Sequence, residues 1–130
     1  MSRLDSAIRR LMAQRSCLDH AAGMITGQPG HVLELGLGNG RTYDHLRGLL
    51  PEREIYVFER EVRAHPDCIP DEDHLFLGDL HDTVAQAVQR LGGRAALLHM
   101  DIGTGDEARN TRFAAWLSTA LPPLLRPGAL

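Results

Sequence analysis

Three glycines at alternate positions follow a short, largely apolar run that contains a carboxylate: Val32-Leu33-Glu34-Leu35-Gly36-Leu37-Gly38-Asn39-Gly40-Arg41-Thr42. No other stretch limits the fold so tightly. The residues from His31 to Leu35 suit a strand, and glycine tolerates backbone angles that a side chain forbids, so the order reads as strand, tight turn and helix start. Such a turn lets a ligand approach the main chain closely. The dinucleotide fingerprint G-x-G-x-x-G needs its third glycine three places after its second, but Gly40 comes one position early and Arg41 stands where that glycine belongs. A nicotinamide dinucleotide is disfavoured on that spacing.

Glu34, Gly36, Gly38 and Gly40 match the E/D-x-G-x-G-x-G motif, and the stretch resembles that of class I methyltransferases dependent on S-adenosyl-L-methionine. The resemblance implies that the acidic residue lies near the cofactor's ammonium group, which suits a ligand with two cationic centres and no phosphate. It implies cofactor contacts from Glu34, Leu35, Gly36, Gly38, Asn39, Gly40 and Thr42. The helix that opens after Gly40 offers free N–H groups and a positive dipole end to the cofactor's carboxylate, a contribution of ~0.3–1 kcal/mol if exposed.

Length and composition bound the alternatives. One domain of 130 residues, 43% hydrophobic, is large enough for a core and has no stretch long enough to cross a membrane. Arg3, Asp5, Arg9 and Arg10 interrupt any signal-peptide core, and Cys17 and Cys68 form no C-x-x-C pair, so a cytoplasmic protein with reduced thiols is expected. A net charge of -3 without a basic stripe argues against a nucleic-acid partner. All fourteen basic residues are arginine, which excludes a catalytic or P-loop lysine.

In chain order, Ser2 to about Ile25 reads as an amphipathic helix, with Ser2-x-x-Asp5 as its capping box. Its role is core coverage, with substrate gating the alternative. Gly27-Gln28-Pro29-Gly30 leads into the first strand, and Tyr43, Leu46, Leu49 and Leu50 form the apolar face of a helix stopped by Pro51. Glu54 to Phe58 is a second strand ending at Glu59, nineteen residues after Gly40. A carboxylate there can accept both ribose hydroxyl protons, the role the resemblance implies, with Arg60 beside it; the alternative is a solvated strand end.

Arg63 to Asp73 reads as an irregular loop, followed by a strand at His74–Leu77 that closes with Gly78-Asp79-Leu80. By the resemblance Asp79 accepts from the adenine amino group; a helix N-cap is its competing role. Val84, Ala87, Val88 and Leu91 mark a helix closed by Gly92-Gly93, and Ala95 to Met100 is a nearly continuous apolar run, the pattern of a central strand buried on both faces. Asp101-Ile102-Gly103-Thr104-Gly105-Asp106 follows, in the position that the resemblance sets beside the transferable methyl, with Asp101 and Ile102 as cofactor contacts. Glu34, Glu59, Asp79 and Asp101 thus all fall at strand ends, where ligands gather in an open α/β sheet. Asp101 and His99 are the candidates for a general base, although His99 can instead face a neighbouring helix. His45 and Tyr43 are candidates to line an acceptor pocket.

A last helix from about Asp106 to Leu121 carries Phe113, Trp116 and Leu117 on a stripe read as core. From Pro122 the chain resembles the family's turn into a fifth strand and stops as that strand begins. The expectation is an α/β fold, a Rossmann-like parallel sheet with helices on both faces, spanning residues 1–130 with an N-terminal helix at 1–26 and a core at 31–130 that is incomplete at its C-terminal end. The fourth strand would be left as an open apolar edge, so a truncated chain is expected, or else a paired homo-oligomer. Family members that use a divalent metal hold it after strands four and five; Asp101 could supply one ligand and another would lie beyond Leu130, so no metal is assigned.

The resemblance is nearest to a small group of bacterial methyltransferases of unassigned substrate. It implies methyl transfer from S-adenosyl-L-methionine, giving S-adenosyl-L-homocysteine, with a small-molecule acceptor. A non-catalytic binding domain for that cofactor or an adenosine nucleotide is the alternative, ahead of an NAD-dependent oxidoreductase.

Overall fold

The computed structural model describes all residues 1–130. Four parallel strands, β1 (Val32–Leu35), β2 (Ile55–Glu59), β3 (Leu75–Leu77) and β4 (Leu97–Met100), lie in the order β3-β2-β1-β4. The order reverses beside β1, which makes the end of that strand the switch point where a crevice opens. Glu34 pairs in register with Val57 on one side and His99 on the other.

Helices α1 (Arg3–Met24), α2 (Arg41–Leu49), α3 (Leu80–Leu91) and α4 (Glu107–Ala120) complete the α/β architecture. Alternation along the strands divides the core in two. Leu33, Leu35, Tyr56 and Phe58 pack with residues of α3 and α4, including Val84, Ala87 and Leu117. Val32, Ile55, Val57 and Leu97 pack with Leu18 of α1 and Tyr43 and Leu46 of α2. Glu34 and His99 share this second face.

Local chemistry sets the element ends. The Ser2 hydroxyl accepts from the Asp5 N–H while the Asp5 carboxylate accepts from the Ser2 N–H, the capping box expected at the start of α1. Arg53 ties the α1–β1 connection by donating to the carbonyls of Ile25, Gln28 and Gly30. Gly92, in a left-handed conformation at φ +66°, ends α3.

Four expectations are corrected. His74 belongs to a 3-10 turn (Glu72–His74) that precedes β3, and another such turn (Pro66–Cys68) gives local order to the supposedly irregular loop. Regular β4 begins at Leu97, and only that residue of it is buried; Met100 is 41% exposed, so the strand is not a doubly covered one. Nor is its edge bare. Ala95 donates to Leu124 and accepts from Arg126, while Leu130 donates to Ala96 and accepts from Leu98, so the final residues occupy the main-chain groups along this edge. The apolar run predicted the strand but not the return of the tail alongside it.

Candidate cofactor and acceptor site

Both ends of the glycine turn are fixed by packing, and its middle is open. A Cβ on Gly36 would lie 2.5 Å from Ile102 Cγ2, and one on Gly40 would lie 2.5 Å from Cys68 Cβ and 2.9 Å from the Cys68 carbonyl oxygen. Gly38, at φ +55°, has nothing within 4 Å of that position. Close approach to the main chain is therefore possible at Gly38, while Gly36 and Gly40 let neighbouring segments pack. Gly40 also caps α2. Leu35 is wholly buried, its side chain in the core, and only its main chain borders the turn.

Glu59 closes under this turn. Its Oε2 accepts from the N–H groups of Leu37 (2.8 Å) and Gly38 (3.0 Å), and its Oε1 from that of Arg60 (2.8 Å). The strand-end position was legible in the sequence; the amide contacts were not, because they depend on how the turn folds back. The Asn39 side chain accepts from the Arg41 N–H within the same turn.

A cleft of about 500 Å³ runs beside the ends of β2 and β3, lined by Glu59, Arg60, Gly78, Asp79, Leu80 and Ile102 among others. Its size falls in the range of small-molecule sites. Asp79 caps α3, its Oδ1 accepting from the His81 N–H at 2.9 Å and lying 2.7 Å from His81 Nδ1. These contacts hold its carboxyl below the usual carboxylate range, the main-chain bond first. Oδ2 has no protein partner, so capping and acceptance from a ligand are compatible.

Phe113 and Trp116 form the far wall of the cleft, with the His81 ring 4.0 Å from that of Trp116. The helical stripe that suggested core therefore supplies a cleft wall, with Leu117 alone of the three fully buried. Periodicity finds an apolar face but cannot distinguish a neighbouring strand from a cavity beside it. Asn110, which the sequence did not single out, braces the loop after β4: its amide donates to the Thr104 carbonyl at 2.7 Å.

On the other side of the turn, Glu34 is 1% exposed and its Oε1 lies 2.7 Å from His99 Nδ1. Burial pushes the Glu34 carboxyl above its ordinary range, against the pull of His99 and Thr42. Its Oε2 is buried without a protein partner. A buried carboxylate oxygen left without a partner is a matching group for a cationic ammonium. Asp101 is exposed at the strand end and accepts from the side-chain amide of Gln14 at 2.9 Å, which brings the middle of α1 over this side of the site. His45 and Tyr43 stand further back: His45 pairs with Asp19 at 2.7 Å between α2 and α1, and Tyr43 is buried.

A family profile described as S-adenosyl-L-methionine methyltransferase matches residues 1–130. The chain belongs to that family. A solved structure of an S-adenosyl-L-methionine methyl transferase from Silicibacter pomeroyi DSS-3 is 48% identical, with a TM-score of 0.89 over 99% of this chain and 79% of the other. No curated protein matches the sequence. The methyltransferase accordingly uses S-adenosyl-L-methionine, as the glycine spacing and Glu34 suggested, rather than a nicotinamide dinucleotide. No helix of this methyltransferase is long and apolar enough to cross a membrane.

Proposed function

We propose that the enzyme methylates a small-molecule acceptor, with the cofactor laid across the carboxyl ends of the strands. In this reading the ammonium meets Glu34 near Thr42, the methionyl part passes over Gly38 and the neighbouring Gly36 to Gly40 turn, and the ribose meets Glu59. The adenine occupies the cleft between Asp79 and the wall of Leu80, Ile102, Phe113 and Trp116. One observation carries this: the buried, unpartnered Glu34 Oε2 lies on one side of the open turn, and a cleft with a free Asp79 oxygen lies on the other.

The sulfonium is already a strong electrophile, so the protein's task is alignment and exclusion of water; such positioning can supply ~7–11 kcal/mol of the barrier. α1 roofs the acceptor side through Gln14 and Asp101.

Calorimetric titration with S-adenosyl-L-methionine, S-adenosyl-L-homocysteine and NAD tests the assignment. Both sulfur ligands should bind saturably and NAD should not. Asp79→Ala should weaken binding about 10- to 100-fold, the loss expected for a hydrogen bond to a charged group worth about 1.5–3 kcal/mol, and Glu59→Ala should weaken it less, because Glu59 already holds three main-chain N–H groups. Unchanged affinity in both variants would remove the adenosine end from this cleft.

A further inference from the structure

Glu34 and His99 face each other across the β1–β4 pair, and their contact joins the sheet interior to the acceptor side. With Glu34 ionised its carboxylate can only accept, so in that state the Nδ1–H of His99 donates to Glu34 and the lone pair of the neutral ring falls on Nε2. Nε2 has no hydrogen-bond partner in the protein, and it is not one of the two buried polar atoms left unpartnered, which are His31 Nε2 and Glu34 Oε2. The side chain is 17% exposed. This nitrogen therefore reaches solvent. Asp101 follows β4 two residues after His99, its charge acts on His99, and Gln14 of α1 reaches across to it.

We propose that His99 accepts the proton of the methyl acceptor, oriented by Glu34, and that the acceptor is a hydroxyl compound; this rests on the cofactor arrangement proposed above. In the step, the acceptor O–H gives its proton to Nε2 as its oxygen forms a bond to the methyl carbon. The carbon–sulfur bond breaks, and its electron pair stays on sulfur as the thioether. Glu34 faces the resulting imidazolium. A neutral amine can attack before it sheds a proton, and a carboxylate has none to shed, so an oriented base with an accessible lone pair is matched to a hydroxyl.

The charges that act on His99 are Glu34 from β1 and Asp101 from the end of its own strand; α1 presents the uncharged Gln14. The Glu34 hydrogen bond raises the His99 pKa above its ordinary value, burial opposes this, and both carboxylates add to the rise. The base form is thus reached at higher pH than for a free histidine, and the rate should climb through that displaced value.

Two readouts test the proposal, with S-adenosyl-L-homocysteine binding as the control for the cofactor arrangement. Nitrogen NMR of the wild-type complex with S-adenosyl-L-homocysteine should show His99 as the Nδ1–H tautomer, titrating at lower pH in Glu34→Gln; an Nε2–H tautomer or an unmoved titration overturns the dyad. The second readout is transfer of label from methyl-labelled cofactor to a small-molecule extract. It should give methyl ethers, with kcat reduced about 100-fold or more in His99→Gln, as for loss of a general base, and with cofactor KM changed less than three-fold. N-, S- or ester-linked label, or no transfer by protein that binds S-adenosyl-L-homocysteine normally, overturns the hydroxyl assignment. Failure of wild type to bind S-adenosyl-L-homocysteine instead overturns the cofactor arrangement.

Discussion

The three glycines of the turn differ in what replacing them does. Gly40→Ala sets a Cβ against Cys68, including that residue's main chain, at φ +86°. The left-handed backbone costs about 1–2 kcal/mol and overpacking typically adds about 1–3 kcal/mol. Gly38→Ala meets open space and carries only the backbone cost. Urea unfolding should therefore show Gly40→Ala destabilised by about 2–5 kcal/mol and Gly38→Ala by about 1–2 kcal/mol, with cofactor binding the property that Gly38→Ala disturbs more. The sequence displayed three equivalent glycines, because spacing reveals where side chains are absent and not what fills the space. Glu34 is a related case. Its strand-end position was readable, but its partner was not: the pairing with His99 needs the register of two strands that lie far apart in the chain.

Among the elements, α1 is the most unevenly supported. Its buried residues are Leu18 and Ala22, toward its C-terminal end, whereas Leu4, Ile8 and Met12 are exposed. Loss of the cap in Ser2→Ala costs about 1 kcal/mol. Because the first turns touch little else, that cost should appear as faster amide exchange over the first two turns, with little change in the global unfolding midpoint. An equal protection loss through Leu18 would show that the helix opens as one unit. The capping box, the four helices and the parallel strands between them were legible from short-range chemistry. The tail beside β4 was not, since the bonds from Leu124 to Leu130 are made to a strand about thirty residues earlier and leave no periodic signature.

For the whole molecule, proton linkage sets a pH window. Burial lowers the His74 pKa, but Asp71 and Glu54 outweigh it, and the net shift is upward. A histidine whose folded pKa is raised contributes stability that is complete below its unfolded value of about 6.5 and is lost as pH rises through the folded value. His31 is shifted down, chiefly by burial, and so opposes folding at acid pH, where its unfolded form binds more protons. Thermal unfolding should thus show stability declining above about pH 6.5, with a shallower decline in His74→Gln. Equal slopes in the two proteins would remove His74 from the linkage.

The three amides gathered by Glu59 have a consequence for selectivity. A carboxylate has about four acceptor positions, so a ribose placed at Glu59 as proposed above, arriving with two hydroxyls, must displace at least one main-chain donor. That exchange returns little net free energy, and the sugar acts as a toll rather than an anchor. Discrimination then falls to the two ends of the ligand, and removing the amino group of the methionyl part should weaken binding far more than removing one ribose hydroxyl.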